Sequence, residues 1–447
     1  MIKVVQGDRQ TCQSFVEDLK SRVGQASPEI EQTVRDVIEQ VRAGGDSAVK
    51  AFSEKFDGWT PENLELSREA LEQAVAECDP AFIQSLRKAA ENIRAFHQRQ
   101  KQQSRIDPMP NGIITGQRVR GLHRVGVYVP GGTAGYPSSV LMNVIPAQVA
   151  EVGEIVMATP PGRTGRPDPN ILAAAYVAGV DRVFLMGGAQ AVAALALGTE
   201  SVPKVDKIVG PGNIFVATAK KQLYGVVDID MIAGPSEILI VADESANPTF
   251  LAADLMSQAE HDRMASAILI TPSRELAERT VAEVYRQMEY LSRKEIIQEA
   301  LERFGGVIVC ESMDEAVDFA NELAPEHLEI CVDNPFSYIG RLDNAGSVFL
   351  GHYSPEPLGD YFAGPNHVLP TGGTARFAAG LGVHTFMKPV EVIEYDEEGL
   401  KALAARINAF AVSEDLPAHG ECVLSRFVKD PYDKATLREQ EKEAGLR

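Results

Sequence analysis

The sequence predicts an α/β fold, on three observations. From about residue 119 onward, short apolar strands alternate with helical stretches of about ten or more residues. A second series of the same kind follows residue 236. Glycine turns, among them Gly187-Gly188 and Gly210-Pro-Gly212, join strand to helix. Such alternation implies right-handed crossovers and a mostly parallel sheet. Two series in one chain imply two α/β domains, one interrupted by the other, with helical segments toward both ends.

The first hundred residues read as helices. Ser27-Pro28-Glu29 is a start signal, and Ile30, Val34, Val37, Ile38 and Val41 follow at helical spacing. Gly44-Gly45-Asp46 stops that helix, and further helices are expected over 47–56, 68–77 and 80–103. His97, set among Arg and Gln, reads as a solvated helix residue. Strands are then expected over 124–132, where the strand runs into a glycine turn, and at 154–159, 181–188 and 207–213, with helices over 138–152, 169–179, 189–198 and 214–223. The second series gives strands at 238–242, 266–271 and 305–310, and helices from Asn247-Pro248 and over 275–291. Ser312-Met-Asp-Glu315 is a capping box opening another helix. In Ala324-Pro325-Glu326-His327, Pro325 suits the first position of a helix, so Glu326 and His327 fall in its first turn. Residues 351–374 form a long loop dense in Gly, Pro and polar side chains, a kind usually functional or disordered, and its aromatics argue against disorder. A helix over 398–410 precedes a charge-dense stretch, 429–447, expected as an exposed helix or tail.

With 447 residues the chain has length for two to four domains, and 45% apolar residues suffice for buried cores. A net charge of −20 repels phosphate backbones, which argues against nucleic acid. The five cysteines are odd in number and widely spaced, which argues against a disulfide framework or thiolate zinc site and fits a reducing cytoplasm. The first residues lack the apolar core of a signal peptide, and the longest uncharged run, 183–199, is too short and broken for a membrane span.

Three places carry candidate chemistry. In Asp254-Leu-Met-Ser-Gln258-Ala-Glu260-His261-Asp262, Gln258 and His261 are three apart and share one helix face. Two such side chains could hold a metal ion whose other ligands come from elsewhere in the chain; the alternative is an exposed, charged helix end. Tyr128, Gln190 and Asn213 each stand at or just past a strand's carboxyl end, where open α/β sheets bind ligands. The neighbouring glycines permit close approach to a phosphate, or merely make tight turns. No Gly-x-Gly-x-x-Gly is present. Finally, Glu326 beside His327 suits two successive proton abstractions, with the positive end of a helix keeping the imidazole neutral; the alternative is an ordinary surface pair.

Eight motifs occur in one order: Tyr128-Val-Pro-Gly-Gly-Thr-Ala-Gly-Tyr-Pro-Ser-Ser, Gly187-Gly-Ala-Gln190-Ala, Val209-Gly-Pro-Gly-Asn213, Ala233-Gly-Pro-Ser236-Glu, Ser257-Gln258-Ala-Glu-His261-Asp, Ala324-Pro-Glu326-His327-Leu, Leu358-Gly-Asp360-Tyr and Pro417-Ala-His419. Together, over roughly residues 20 to 427, they closely resemble the L-histidinol dehydrogenases. The resemblance implies two Rossmann-like (aldehyde-dehydrogenase-like) α/β domains, with small helical segments at both ends. It implies an N-terminal segment 1–22, a zinc and catalytic domain of 23–127 with 237–380, an NAD-binding domain 128–236, and a C-terminal dimerisation tail 381–447. The implied activity is oxidation of L-histidinol to L-histidine through L-histidinal, the last step of histidine biosynthesis. Zinc, one ion per subunit, would be held by Gln258, His261, Asp360 and His419. NAD would meet Tyr128, Gln190 and Asn213. The substrate would meet Ser236, Glu414 and His327 together with the zinc ligands. Glu326 and His327 would be the catalytic pair. The implied assembly is an intertwined cytoplasmic homodimer in which Glu414 and His419 serve the other subunit's site.

Two features depart from the family pattern. The segment Gly382-Val-His384 lacks an acidic residue usual near that position, and the tail extends beyond Phe427. His123 and His384 then read as surface residues, and His352 and His367 as supports for the loop around Asp360. The competing readings are a dehydrogenase of the same family acting on another small alcohol such as a sulfonated diol, a zinc hydrolase without nicotinamide, and a non-catalytic nucleotide-binding scaffold.

Overall fold

A computed structural model describes residues 2–21, 27–110, 112–131, 135–162 and 165–446. Part of the first glycine turn, Gly132-Thr133-Ala134, and the expected boundary at residues 22–23 lie outside the described residues. The strands, in chain order, are β1 (Val4–Gln6), β2 (Glu65–Leu66), β3 (Arg105–Met109), β4 (Ile113–Gly121), β5 (Arg124–Tyr128), β6 (Glu154–Thr159), β7 (Arg182–Leu185), β8 (Lys207–Val209), β9 (Asp228–Ile229), β10 (Glu237–Ala242), β11 (Ser266–Thr271), β12 (Gly306–Val309), β13 (His327–Cys331), β14 (Ser347–Leu350) and β15 (Met387–Glu394).

Two six-stranded sheets form the larger unit, which takes in residues up to 101 and from 121 to 387. The first runs β2-β7-β6-β5-β8-β9 and the second β1-β12-β11-β10-β13-β14. Apart from antiparallel β2, neighbouring strands pair in parallel. Counting each βα series from its own first strand, both sheets follow the spatial order third, second, first, fourth, fifth. This is the Rossmann arrangement, with a crevice where the order reverses: between β5 and β8 in one sheet, and between β10 and β13 in the other. Ile155, Val156, Met157 and Ala158 of β6 are all buried, as a parallel strand covered on both faces requires.

The expected βα alternation is therefore present, but the termini are distributed differently. Helices Pro28–Asp57, Arg68–Glu77 and Pro80–His97 pack on the helices of the first sheet. Val34, Val37, Ile38, Val41 and Phe52 share a core with Phe184 and Val192 there. So residues 28–101 and 121–128 lie with the first sheet, where 23–127 was expected with 237–380. Residues 4–21 supply an edge strand and a helix to the second sheet instead of standing apart. Helical periodicity says that a face is buried, and does not say against which sheet. The stop at Gly44-Gly45 is a kink within Pro28–Asp57: Gly45 has φ 52°, and a Cβ there would lie 2.2 Å from the Glu200 carboxylate. The Ser312 hydroxyl caps helix Met313–Leu323 by accepting from Glu315 N–H, but the Glu315 carboxylate accepts from Glu311 N–H, one residue before the expected box partner.

The second unit consists of residues 102–120 and 388–447. It holds a three-stranded sheet, β15-β4-β3, and helices Glu397–Ser413, Pro417–Leu424 and Leu437–Glu443. Ala404, Leu424, Val428 and Leu446 form its small core, so the charge-dense stretch is a short helix docked by apolar contacts. No helix among the described residues is long and apolar enough to cross a membrane.

Candidate active site

Polar side chains converge on the amino edge of the second sheet. Ile238 pairs with His327 across β10 and β13, which sets Ser236 and Glu237 beside Glu326. Glu326 and His327 thus begin a strand, and the helix expected from Pro325 is absent. Gly346 N–H donates to Pro325 O and Ser347 N–H to Glu326 O, so ladder pairing with β14 uses the backbone that a helix would have needed. His327 is neutral nonetheless, for another reason: burial pushes its imidazole down to about 4. Its Nδ1 lies 3.0 Å from the Glu237 carbonyl oxygen. A carbonyl only accepts, so Nδ1 carries the proton and Nε2 keeps a free lone pair.

Glu237 and Glu326 lock each other. Glu326 Oε2 accepts from Glu237 N–H at 2.9 Å, and Glu237 Oε2 accepts from Glu326 N–H at 3.4 Å. Burial raises Glu326 well above the usual carboxyl range and pushes Glu237 up to about 7. A carboxylate in such surroundings is a stronger base than one in water. Behind them Asp254, Glu329 and Glu356 continue a buried acidic row: Glu329 Oε1 accepts from Glu356 N–H at 2.9 Å, and burial raises Glu356 to about 9.

The residues expected at zinc occupy three elements. Helix Pro248–Ala259 ends before His261, so Gln258 is on the helix and His261 on the turn after it, rather than both on one face. Gln258 is fully buried, and neither its amide oxygen nor its nitrogen has a hydrogen-bond partner. Asp360 lies on helix Glu356–Tyr361, inside what reads in sequence as a structureless loop. Burial raises its carboxyl, but His367 and the nearby His327 and His261 outweigh that and hold it below its usual range. His367 Nδ1 is 3.3 Å from Asp360, and His367 Nε2 is 3.3 Å from the Ser139 hydroxyl. Ser139 opens the helix after β5, so this chain of contacts joins the carboxyl side of the first sheet to the amino edge of the second. Glu414 and His419 belong to the second unit, where both are exposed: Glu414 ends helix Glu397–Ser413, and His419 is in the first turn of Pro417–Leu424.

By distance alone, His327, Glu356 and Asp360 form a second candidate metal site, their ligand atoms all within 4.8 Å of one another. Two features disfavour that set. Burial and Asp360 raise the Glu356 carboxyl to about 9, so a cation bound there must first displace a proton. Gln258, by contrast, is a buried amide with an unused oxygen, and a cation beside it would relieve an otherwise costly burial. An amide oxygen, an imidazole and an ionised carboxylate form a donor set that fits zinc.

At the carboxyl edge of the first sheet, Tyr128 ends β5 and its hydroxyl accepts from Gly188 N–H at 3.0 Å. Burial raises that phenol to about 12. Gln190 is 1% exposed with both amide atoms unpartnered. Asn213 caps helix Ile214–Leu223, its Oδ1 accepting from Phe215 and Val216 N–H. Two of the three expected cofactor residues thus already hold turns together, and Gln190 is the one with its polar group free.

Glu237, Glu329, Glu356 and Asp254 are not legible as parts of the site in the sequence, because strand register places the first and second, and helices Glu356–Tyr361 and Pro248–Ala259 carry the other two. His97, expected to be solvated, is fully buried with Nδ1 2.9 Å from Ile93 O. The signal was available: Ile83, Leu86, Ile93 and His97 continue one buried helical stripe. His123 and His384 are exposed, as expected.

A family model described as Histidinol dehydrogenase matches residues 20–427. A Clostridium acetobutylicum protein named Histidinol dehydrogenase is 51% identical over 427 residues, covering 96% of this chain and 99% of that one. One of the same name from Listeria monocytogenes is 52% identical over 404 residues, covering 90% and 94%. A crystal structure of Histidinol Dehydrogenase from Elizabethkingia anophelis superposes with a TM-score of 0.90 at 36% identity, covering 95% of this chain and 98% of that one.

Proposed function

The chain belongs to the histidinol dehydrogenase family, and on that premise we propose that it oxidises L-histidinol to L-histidine through L-histidinal, the closing step of histidine biosynthesis, with zinc and NAD. The observation that carries the mechanism is the single tautomer of His327, neutral, buried and free at Nε2.

In this reading Gln258, His261 and Asp360, with His419 of the partner subunit, hold zinc. Ser236, His327 and Glu414 of the partner subunit touch the substrate. Tyr128, Gln190 and Asn213 line the NAD site. Zinc held by these residues would supply Lewis acidity to the bound substrate, and NAD at its site would supply the hydride acceptor for both oxidations.

The chain's own residues handle the protons. His327 Nε2 takes the alcohol proton as the hydride departs, and the Glu237 carbonyl keeps Nδ1–H aligned as the ring becomes charged. Glu326 in its ionised form, which burial makes a stronger base than a carboxylate in water, takes a proton from the water that adds to the aldehyde. Over both steps, histidinol, one water and two NAD give histidine, two NADH and three protons. The free thiols at Cys12, Cys78, Cys310, Cys331 and Cys422 fit a reducing cytoplasm.

The test counts NADH formed per histidinol by zinc-loaded protein. Two supports the full reaction. One points to a plain alcohol dehydrogenase, and none removes the assignment. A parallel assay with a sulfonated diol that proves the better substrate moves the specificity within the family.

A further inference from the structure

The turn that follows β8 is held by a buried device which the roles above leave unused. Gly210 has φ +109°, and a Cβ on it would lie 2.1 Å from the Tyr128 carbonyl oxygen. Only glycine lets β8 press this closely on the end of β5, at the point where strand order reverses. The Gly210 peptide is gripped on both sides. Its N–H donates to Asp230 Oδ2 at 2.7 Å, and its carbonyl accepts from Lys220 Nζ at 3.0 Å. Lys220 and Asp230 are themselves an ion pair through Asp230 Oδ1, which also accepts from Met231 N–H at 2.6 Å. Their side chains are 3% and 1% exposed.

Lys220 stands on helix Ile214–Leu223, which Asn213 caps. A closed loop of contacts therefore runs from Gly210 through Pro211, Gly212 and Asn213, along the helix to Lys220, across to Asp230 and back to Gly210. Burying such a pair seldom adds stability over well-packed apolar side chains of similar size, because desolvating two charges offsets their attraction. What the pair does supply is direction: it fixes the orientation of one peptide group.

The geometry points to Lys220 and Asp230 as positioning residues for the dinucleotide. They hold the Gly210–Asn213 turn against Tyr128, so that Gly212 and Asn213 meet the cofactor in one arrangement. This inference rests on the reading of that edge as the NAD site.

The test uses zinc-loaded, full-length protein and titrates NAD by calorimetry, with histidinol binding and zinc content measured on the same samples. The double variant Lys220→Met with Asp230→Leu removes both charges and leaves neither unpaired. It is expected to fold, to keep zinc and histidinol binding, and to bind NAD about ten- to a hundredfold more weakly, the scale on which supporting partners of a binding group act. Asp230→Asn, which keeps an acceptor for Gly210 N–H but breaks the ion pair, is expected to weaken NAD binding in the same direction by less. Unchanged NAD affinity in a folded double variant overturns the inference, as does an equal loss of histidinol and NAD binding, which marks a general structural role. If the double variant does not fold, Asp230→Asn decides, and its unchanged NAD affinity overturns the inference. If wild-type protein takes up no NAD at all, the cofactor reading fails first and takes this inference with it.

Discussion

His327 Nδ1–H donates a hydrogen bond to the backbone carbonyl of Glu237 at 3.0 Å, and Glu237 N–H donates in turn to the Glu326 carboxylate at 2.9 Å. One residue therefore orients both members of the proposed proton-handling pair. The imidazole is expected to act through Nε2 as a base and not to carry the metal. His327→Ala should slow turnover by about 10²–10⁴-fold. Elemental analysis should find its zinc content unchanged. Loss of zinc in that variant would move His327 into the ligand set and favour the grouping with Glu356 and Asp360.

Gln258 makes a second prediction, with opposite signs for two measurements. Its buried amide has no partner in the absence of a metal, a state that costs about 1–3 kcal/mol. Gln258→Leu should therefore raise the melting temperature of metal-free protein. The further rise on adding zinc should shrink, since ligand binding stabilises in proportion to affinity. A metal-free protein that melts lower, with an undiminished zinc increment, would show the amide to be a structural group.

Arg293 braces the turn that carries His261. Its Nε donates to Glu260 O at 2.9 Å, and one terminal nitrogen reaches His261 O at 3.5 Å. Arg293→Met should weaken zinc retention against a chelator by about tenfold or more. Arg293→Lys should recover only part of it, because an ammonium lacks the planar fork. Equal retention in all three proteins would leave Arg293 as surface packing.

His97 sets a pH dependence of stability. Burial lowers its folded-state value below 6.5, while the unfolded chain keeps about that value. Between those values the unfolded state binds more protons, so stability declines as pH falls from about 6.5. His97→Gln should be destabilising at neutral pH, where the neutral ring is packed, and its penalty should narrow as pH falls below about 6.5. Denaturant midpoints measured across that range check the sign. A penalty that grows on acidification contradicts it.

Much of the fold was legible because its signals are local. The strand over 154–159 and the helix over 214–223 match the structure to the residue, each set by apolar runs bounded by glycine, proline or a cap. Proline at 325 misled because a helix-start signal and a strand-start signal look alike when ladder partners lie about 90 residues upstream and 20 downstream. The separate pieces of the candidate site, Gln258, His261, Asp360 and His327, come from motif likeness. What joins them, Glu237, Glu356, His367 and Ser139, depends on register and on two sheets meeting. Neither is written in any window of the sequence.

The pairing of β1 with β12 sets a schedule for synthesis. Val4 lies opposite Val307, so the first strand leaves the ribosome roughly 15–60 s before its partner at ordinary elongation rates. The whole first sheet, ending at β9, is made in that interval and can close around its own core while Val4–Gln6 waits unpaired. A nascent chain stalled before residue 306 should thus show a protected middle and a protease-sensitive start.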